Sequence, residues 1–176
     1  MQLDVRSHAV VYTLSVMKNS RGAYKMLVWM IRSAGAIQDL IIKKPDFDLN
    51  KKWSKRTFQY LQRAGYIKRV GRSNSFYLTD IGKINTLHEL VKKRKPDGKI
   101  RAVIFDIPEK LKVKRNALRY HLAELGFKME QKSVWSSKIP CEDLVKLVIE
   151  YHGLGKFTAL IVGKVLQLNV RSHAVV

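Results

Sequence analysis

Apolar positions change from strand spacing to helix spacing within residues 99–139. Ile100–Ile107 is an apolar, largely β-branched run, broken only by Arg101 and Asp106, and it predicts a strand buried on both faces. Pro108 ends this strand, because proline lacks the N–H group that a sheet would use. A helix is predicted from Glu109, with Leu111, Leu118, Leu122 and Leu125 on its apolar face and Lys112, Lys114, Arg115 and Arg119 toward solvent.

The pattern after this helix completes a ferredoxin-like unit. Gly126 ends the helix as a left-handed cap, and Phe127–Ile139 returns to strand composition with a bend near its serines. Glu142–Tyr151 is again helical, and Phe157–Val165 supplies a last strand. The order βαββαβ predicts two helices on one face of an antiparallel sheet. Two copies meeting sheet to sheet would cover the other face, so we expect a homodimer.

The preceding residues predict three helices. Ser20–Gly35 carries an apolar stripe, Ile37–Ile42 could form a short second helix, and the third should run from Lys51 to Ala64. Trp53, Thr57, Leu61 and Ala64 fall on one side of this third helix, and Lys52, Lys55, Arg56, Gln59, Gln62 and Arg63 fall on the other. That polar face contains cations and amides but no acid, which is the chemistry needed to contact phosphates and base edges in the major groove.

A basic hairpin follows the third helix. Tyr66–Val70 and Phe76–Leu78 read as strands joined by a tight turn at Gly71–Ser75. This order resembles a winged helix-turn-helix, and the run FYLTDIG is similar to the YxLTxxG segment of many regulators with that fold. The predicted DNA contacts are Lys51, Lys52, Lys55, Arg56, Gln59 and Arg63 on the helix, and Lys68, Arg69, Arg72 and Ser73 on the hairpin.

A fourth helix, capped by Thr79 or Asp80, should lead to the domain boundary. Its apolar stripe through Val91 could pack on its own domain or form a dimer seam. The predicted organisation is a winged helix-turn-helix domain over 1–95 with an extension at 1–19, a linker at 96–99, and the ferredoxin-like domain at 100–165. The tail at 166–176 repeats Met1–Val11 with only two differences; either an artefact or a pair of strands in a dimer would explain it. The fold class is therefore α+β.

Three motifs in the second half carry a family resemblance. AVIFDIPE, KRNALRYHLAELGF and QKSVW resemble the ferredoxin-like domain of the CRISPR-associated adaptation endonucleases, and the ending SVW looks more like the middle domain of the PaaX-type repressors. The resemblance covers about Lys99–Val165 and implies a homodimer. It does not by itself choose between a nuclease and a regulator.

Composition narrows the class of protein. The formal net charge of +20 in 176 residues predicts a polyanionic partner, most simply double-stranded DNA, although a merely basic, soluble protein is the alternative. Cys141 is the single cysteine, which excludes an intrachain disulfide and a cysteine-based structural zinc site. We therefore expect a cytoplasmic protein that does not span a membrane.

Asp106 is the candidate catalytic and metal-binding residue. The resemblance to the nucleases implies that one Asp106 from each protomer could hold Mg²⁺ at the dimer interface, where the metal would activate water. No second acid lies on the strand, however, so a structural Asp106 is the alternative. The sequence contains no GxxxxGK, GxGxxG, GxSxG or HExxH motif.

Three functions remain open at this level. The favoured one is a dimeric DNA-binding transcriptional regulator of the PaaX-like repressor type that needs no cofactor. The alternatives are a metal-dependent endonuclease of CRISPR adaptation, and a non-catalytic scaffold that works with a CRISPR integrase subunit.

Overall fold

The computed structural model describes residues 21–33, 41–49 and 52–164. The first part of the chain contains α1 (Arg21–Ser33), β1 (Ile41–Lys43), α2 (Lys55–Arg63), β2 (Ile67–Arg69), β3 (Ser75–Leu78), α3 (Asp80–Ile84) and α4 (Leu87–Val91). The second contains β4 (Ile100–Phe105), α5 (Lys112–Glu124), β5 (Lys128–Gln131), β6 (Val134–Ser137), α6 (Glu142–His152) and β7 (Thr158–Gly163). Short 3₁₀ turns occupy Glu109–Leu111 and Gly155–Phe157.

The first sheet has the strand order β1-β3-β2, and both of its pairings are antiparallel. The predicted helix over Ile37–Ile42 is wrong at its carboxyl end, because Ile41 and Ile42 pair with Tyr77 and Phe76 of β3. Ile42 is buried while Ile41 is exposed, the alternation of an edge strand that covers a core with one face. Residues 34–40 of that prediction lie outside the described part of the chain.

Helix α2 is shorter than predicted. It begins at Lys55 rather than Lys51, because the Ser54 hydroxyl accepts a hydrogen bond from the Thr57 N–H at 3.1 Å and caps the helix. The buried residues of the helix are Phe58 and Leu61. Phe58 therefore takes the core position that the predicted stripe assigned to Thr57.

The single helix predicted after the hairpin is divided into α3 and α4. Thr79 caps α3 by accepting from the Gly82 N–H, and the break follows at Asn85 and Thr86. Both residues at the break donate their side-chain N–H or O–H to carbonyls one turn back, at Ile81 and Gly82 respectively, each at 2.8 Å. A Cβ on Gly82 would lie 2.3 Å from the Tyr66 carbonyl oxygen, so only glycine allows this close approach.

The apolar stripe of α3 and α4 packs within the chain. Ile84, Leu87, Leu90 and Val91 are all buried in the common hydrophobic core. Their burial favours intrachain packing over the dimer seam that the sequence left open.

The second sheet has the order β5-β6-β4-β7, with β4 antiparallel to both of its neighbours. The element order from β4 to β7 is the predicted βαββαβ arrangement. Gly126 follows the end of α5 and has a φ of +79°, as expected for a left-handed cap. Within the single chain β4 is buried on one face only: Val103 and Phe105 are buried, but Ile104 is 40% exposed, so the predicted burial of the second face requires a second protomer. The helices cover only one face of this sheet.

Ion pairs join the segment before β4 to α6. Arg94 donates to the Pro140 carbonyl at 2.8 Å and pairs with Asp143. Arg101 is only 2% exposed, and its guanidinium pairs with both Asp97 and Glu142. The hydrogen bond from Arg101 holds the pKa of Asp97 well below its usual range. Asp97 is thus anchored, while the domain boundaries placed around it stay a prediction. Within the described residues, no helix is long and apolar enough to cross a membrane.

Candidate nucleic-acid interface

The polar face of α2 projects away from the core. Phe58 anchors the helix from below, with its ring 4.9 Å from that of Phe76 in an edge-to-face contact. The side chains on the opposite face are exposed: Lys55, Arg56, Gln59 and Arg63, with Lys52 just before the helix, whereas Gln62 is half-buried. Lys51 lies outside the described residues. Neither α2 nor the following hairpin contains an acid, so this surface is uniformly cationic.

Two of the predicted hairpin contacts shape the turn. Arg69 donates from Nε to the Ser73 carbonyl at 2.6 Å, and Ser73 donates from Oγ to the Val70 carbonyl at 2.7 Å. The Ser73 hydroxyl also accepts from the Ser75 N–H at 3.1 Å. These bonds satisfy backbone groups that the turn would otherwise leave unpaired. Lys68 and Arg72 are exposed and have no ion pair with any residue in the described ranges.

The helix and the hairpin meet in one shallow pocket of about 220 Å³. The side chains that line it come from three segments: Lys55, Gln59 and Gln62 from α2, Arg69 and Asn74 from the hairpin, and Lys44 and Phe47 from the loop after β1. The structure therefore brings the predicted helix residues and hairpin residues together on one surface.

Lys44 and Asn74 also contribute to this surface, although the sequence pattern did not predict it. The Lys44 N–H donates to the Asn74 carbonyl at 3.0 Å, which extends the pairing of β1 with β3 and places the lysine beside the hairpin. The adjacent basic pair Lys43-Lys44 was the available signal, but Lys43 and Lys44 were assigned to no element. Lysine at such positions can contact phosphate.

Asp106 lies in a pocket whose charges do not suit a cation. It directly follows β4 and is exposed, and its N–H donates to the Phe157 carbonyl at 2.9 Å. Arg115, Arg119 and Lys156 line the same pocket. Among the described residues, no group of three or more histidine, cysteine, aspartate or glutamate side chains could hold a metal ion. One carboxylate beside three cations is a poor fit for Mg²⁺, which is bound through carboxylates and phosphates.

Cys141 does not offer an alternative nucleophile. It is fully buried at the start of α6. Burial raises the pKa of its thiol to about 12, so the thiol stays protonated at neutral pH. Its role is to fill the core.

The uncovered face of the second sheet is a candidate surface for self-association. Ile104 pairs with Ala159 on one side and Val134 on the other, and Ala102 pairs with Ile161. Directly paired residues share a face, so these five side chains form one apolar patch. Ile161 is 52% exposed.

One comparison with known proteins identifies part of the chain. Residues 93–175 match a family model described as the PaaX protein central Cas2-like domain. The match covers a little under half of the chain and includes every element from β4 to β7. It supports a Cas2-like fold of the PaaX type for this part, as the sequence resemblance implied; α1 to α4 lie before it. No curated protein and no solved structure matches the chain.

Proposed function

We propose that the protein is a dimeric, DNA-binding transcriptional regulator of the PaaX type. The observation that carries the proposal is the acid-free cationic surface of α2 and the hairpin, in a chain whose second part matches the PaaX central domain. The net charge of +20 supplies attraction to a polyanion.

The first part of the chain is proposed to act as a winged helix-turn-helix. The order of α1, β1, α2 and a two-stranded hairpin, closed by the strand order β1-β3-β2, supports this assignment. In it α2 is the recognition helix, and the turn between β2 and β3 is the wing. Arg56 and Gln59 would read base edges in the major groove, while Lys52, Lys55, Arg63, Lys68 and Arg72 would contact phosphates.

The open sheet face is proposed to hold two protomers together. An exposed apolar patch on an otherwise polar protein is typical of an interaction surface. Ile104→Glu or Ile161→Glu would place a charge in that interface, and we expect either variant to be monomeric by light scattering coupled to size exclusion. Lys146→Glu, at an exposed position of α6 on the helix side of the sheet, is the matched control and should remain dimeric. A monomeric wild type would refute the dimer.

Selection of bound sequences from a random duplex library, followed by fluorescence anisotropy, tests DNA recognition. We expect the selected duplex to bind at least about 10³-fold more tightly than unrelated duplexes at physiological salt. Arg56→Ala combined with Gln59→Ala should remove most of this preference, whereas Lys146→Ala on α6 removes a comparable exposed charge and should not. Equal, weak affinity of the wild type for every duplex would contradict a specific regulator.

A further inference from the structure

A second pocket lies at the carboxyl end of β4, at the edge of the second sheet. Its volume of about 690 Å³ falls within the range of small-molecule sites. Arg115, Arg119 and Lys156 supply three positive charges to its wall, and Asp106 is the only acid among the described residues that line it. We refer to it as the Asp106 pocket.

The two arginines of this pocket are held in place. Arg115 donates to the Ile107 carbonyl at 3.1 Å and to the Glu109 carboxylate at 2.6 Å. Arg119 donates to the Lys132 carbonyl at 2.9 Å. Side chains fixed in this way lose little further freedom when a ligand binds, so the pocket is preorganised.

Donors in this pocket remain without a partner. The Nε–H groups of Arg115 and Arg119 and the hydroxyl of Thr158 are buried, and none has a hydrogen-bond partner among the described residues. Buried donors are normally paired, because an unpaired one loses its bond to water without replacement. These three atoms are closed to solvent, so an anion in the pocket would meet the other N–H groups of the guanidiniums, which suit anions with several oxygens better than other side chains do.

The Asp106 pocket shares no residue with the pocket between α2 and the hairpin. The opposite end of β4 is tied to the segment after α4, through Arg101 and Asp97. A six-residue strand spans about 20 Å, so the Asp106 pocket lies about that far from this junction. Ile107 and Phe157 add an apolar side to the wall, which suits a small organic molecule.

We propose that the Asp106 pocket binds the phosphate group of a small phosphorylated molecule, directly and without a metal ion. Arg115, Arg119 and Lys156 contact the phosphate, and the apolar wall contacts the rest of the molecule. Asp106 opposes the anion and so limits its affinity. A ligand here would give the proposed regulator an effector site separate from its DNA surface.

Isothermal titration with inorganic pyrophosphate, in buffer containing EDTA, tests the site on the full chain. We expect one molecule bound per protomer. Lys156→Gln should weaken binding about tenfold, since it removes one charged contact. Asp106→Asn should tighten binding, because it removes the opposing charge. Lys110→Gln is the matched control: it removes an exposed lysine outside the pocket and should bind like the wild type.

Other results would overturn the proposal. An absence of binding, or equal weakening by Lys156→Gln and Lys110→Gln, would show only general attraction to a basic protein. Binding that requires Mg²⁺ and is lost in Asp106→Asn would identify a metal site instead. Displacement of pyrophosphate by a duplex, with Lys156→Gln weakening duplex binding equally, would assign the phosphate to DNA. Variants of α2 affect only the duplex measurement, so failure of DNA recognition would be seen separately.

Discussion

The two parts of the molecule use their cations in different ways. On α2 and the hairpin, Arg56, Lys68 and Arg72 are exposed and have no ion pair with any described residue. In the second part, Arg101 is buried between two carboxylates and Arg115 is bonded to a carbonyl and a carboxylate. The comparison teaches that net charge alone does not locate a binding surface. A buried cation such as Arg101 stabilises the fold, whereas a cation that lines an open surface or pocket, such as Arg72 or Arg115, remains available to a ligand.

The largest effect on stability is expected from removing a cation that is paired with carboxylates of the protein. Arg101→Ala leaves Asp97 and Glu142 without their shared partner and removes a side chain that is only 2% exposed, so we expect it to cause the largest loss of unfolding free energy. Arg56→Ala, on the exposed surface, should change stability by less than about 0.5 kcal/mol. Urea denaturation of both variants checks the difference. Similar stabilities would show that the buried network contributes no more than a surface charge.

The second-largest effect on stability is expected from lowering the pH, through His152. This residue is buried on α6 and stacks on His121 with ring centroids 5.2 Å apart. Burial, with a smaller contribution from Lys114, lowers the pKa of His152 to about 4. The pKa of His152 is lower in the folded than in the unfolded chain, so the neutral imidazole favours folding. This contribution to the unfolding free energy is complete above pH 6.5 and is lost as the pH falls toward 4.

We expect the loss to be roughly 2–3 kcal/mol in urea denaturation between pH 7 and pH 4.5. His152→Leu should flatten this dependence, whereas His88→Gln, at an exposed histidine of α4, should retain it. An unchanged pH dependence in His152→Leu would contradict the assignment. The carboxylates paired with Arg94 and Arg101 have lowered pKa values, so they act in a separate window at still lower pH.

The exposed surface should show its effect in DNA binding instead of stability. Arg56→Ala should weaken binding to the selected duplex by about 1–3 kcal/mol and relax specificity at one base pair. Lys55→Ala should weaken binding to all duplexes alike. It should also reduce the slope of log affinity against log salt concentration by about one. Anisotropy titrations at several salt concentrations distinguish the two. Identical salt slopes and specificities would place both residues in the same role.

The smallest effect distinguishes two neighbouring arginines of the hairpin. Arg69 bonds to the turn, so Arg69→Ala should lower stability by about 1 kcal/mol as well as weaken DNA binding. Arg72→Ala should weaken DNA binding about threefold and leave stability within about 0.5 kcal/mol of the wild type. Thermal unfolding and anisotropy of the two variants provide the measurement. Equal destabilisation would show that the hydrogen bonds of Arg69 to the turn do not distinguish it from Arg72.

Features set by local sequence were predicted well. The leucine spacing from Leu118 to Leu125 and the glycine after it define α5 and its end, because helix periodicity and left-handed caps depend on neighbouring residues. The outward polar face of α2 followed from the same reasoning. Its starting residue was also available locally, since Ser54 is a good cap, but the longer apolar pattern obscured it.

By itself, the sequence determined the order of the elements from β4 to β7, the acid-free face of α2 and the basic hairpin. Only the tertiary structure decided that Ile41 joins a strand, that Ile104 faces outward, and that Arg101 is buried against Glu142, 41 residues away. It also placed Arg115 and Arg119 around Asp106. The physical reason is range: periodicity and caps act over one or two turns, whereas strand partners, buried ion pairs and pockets join residues that are distant along the chain.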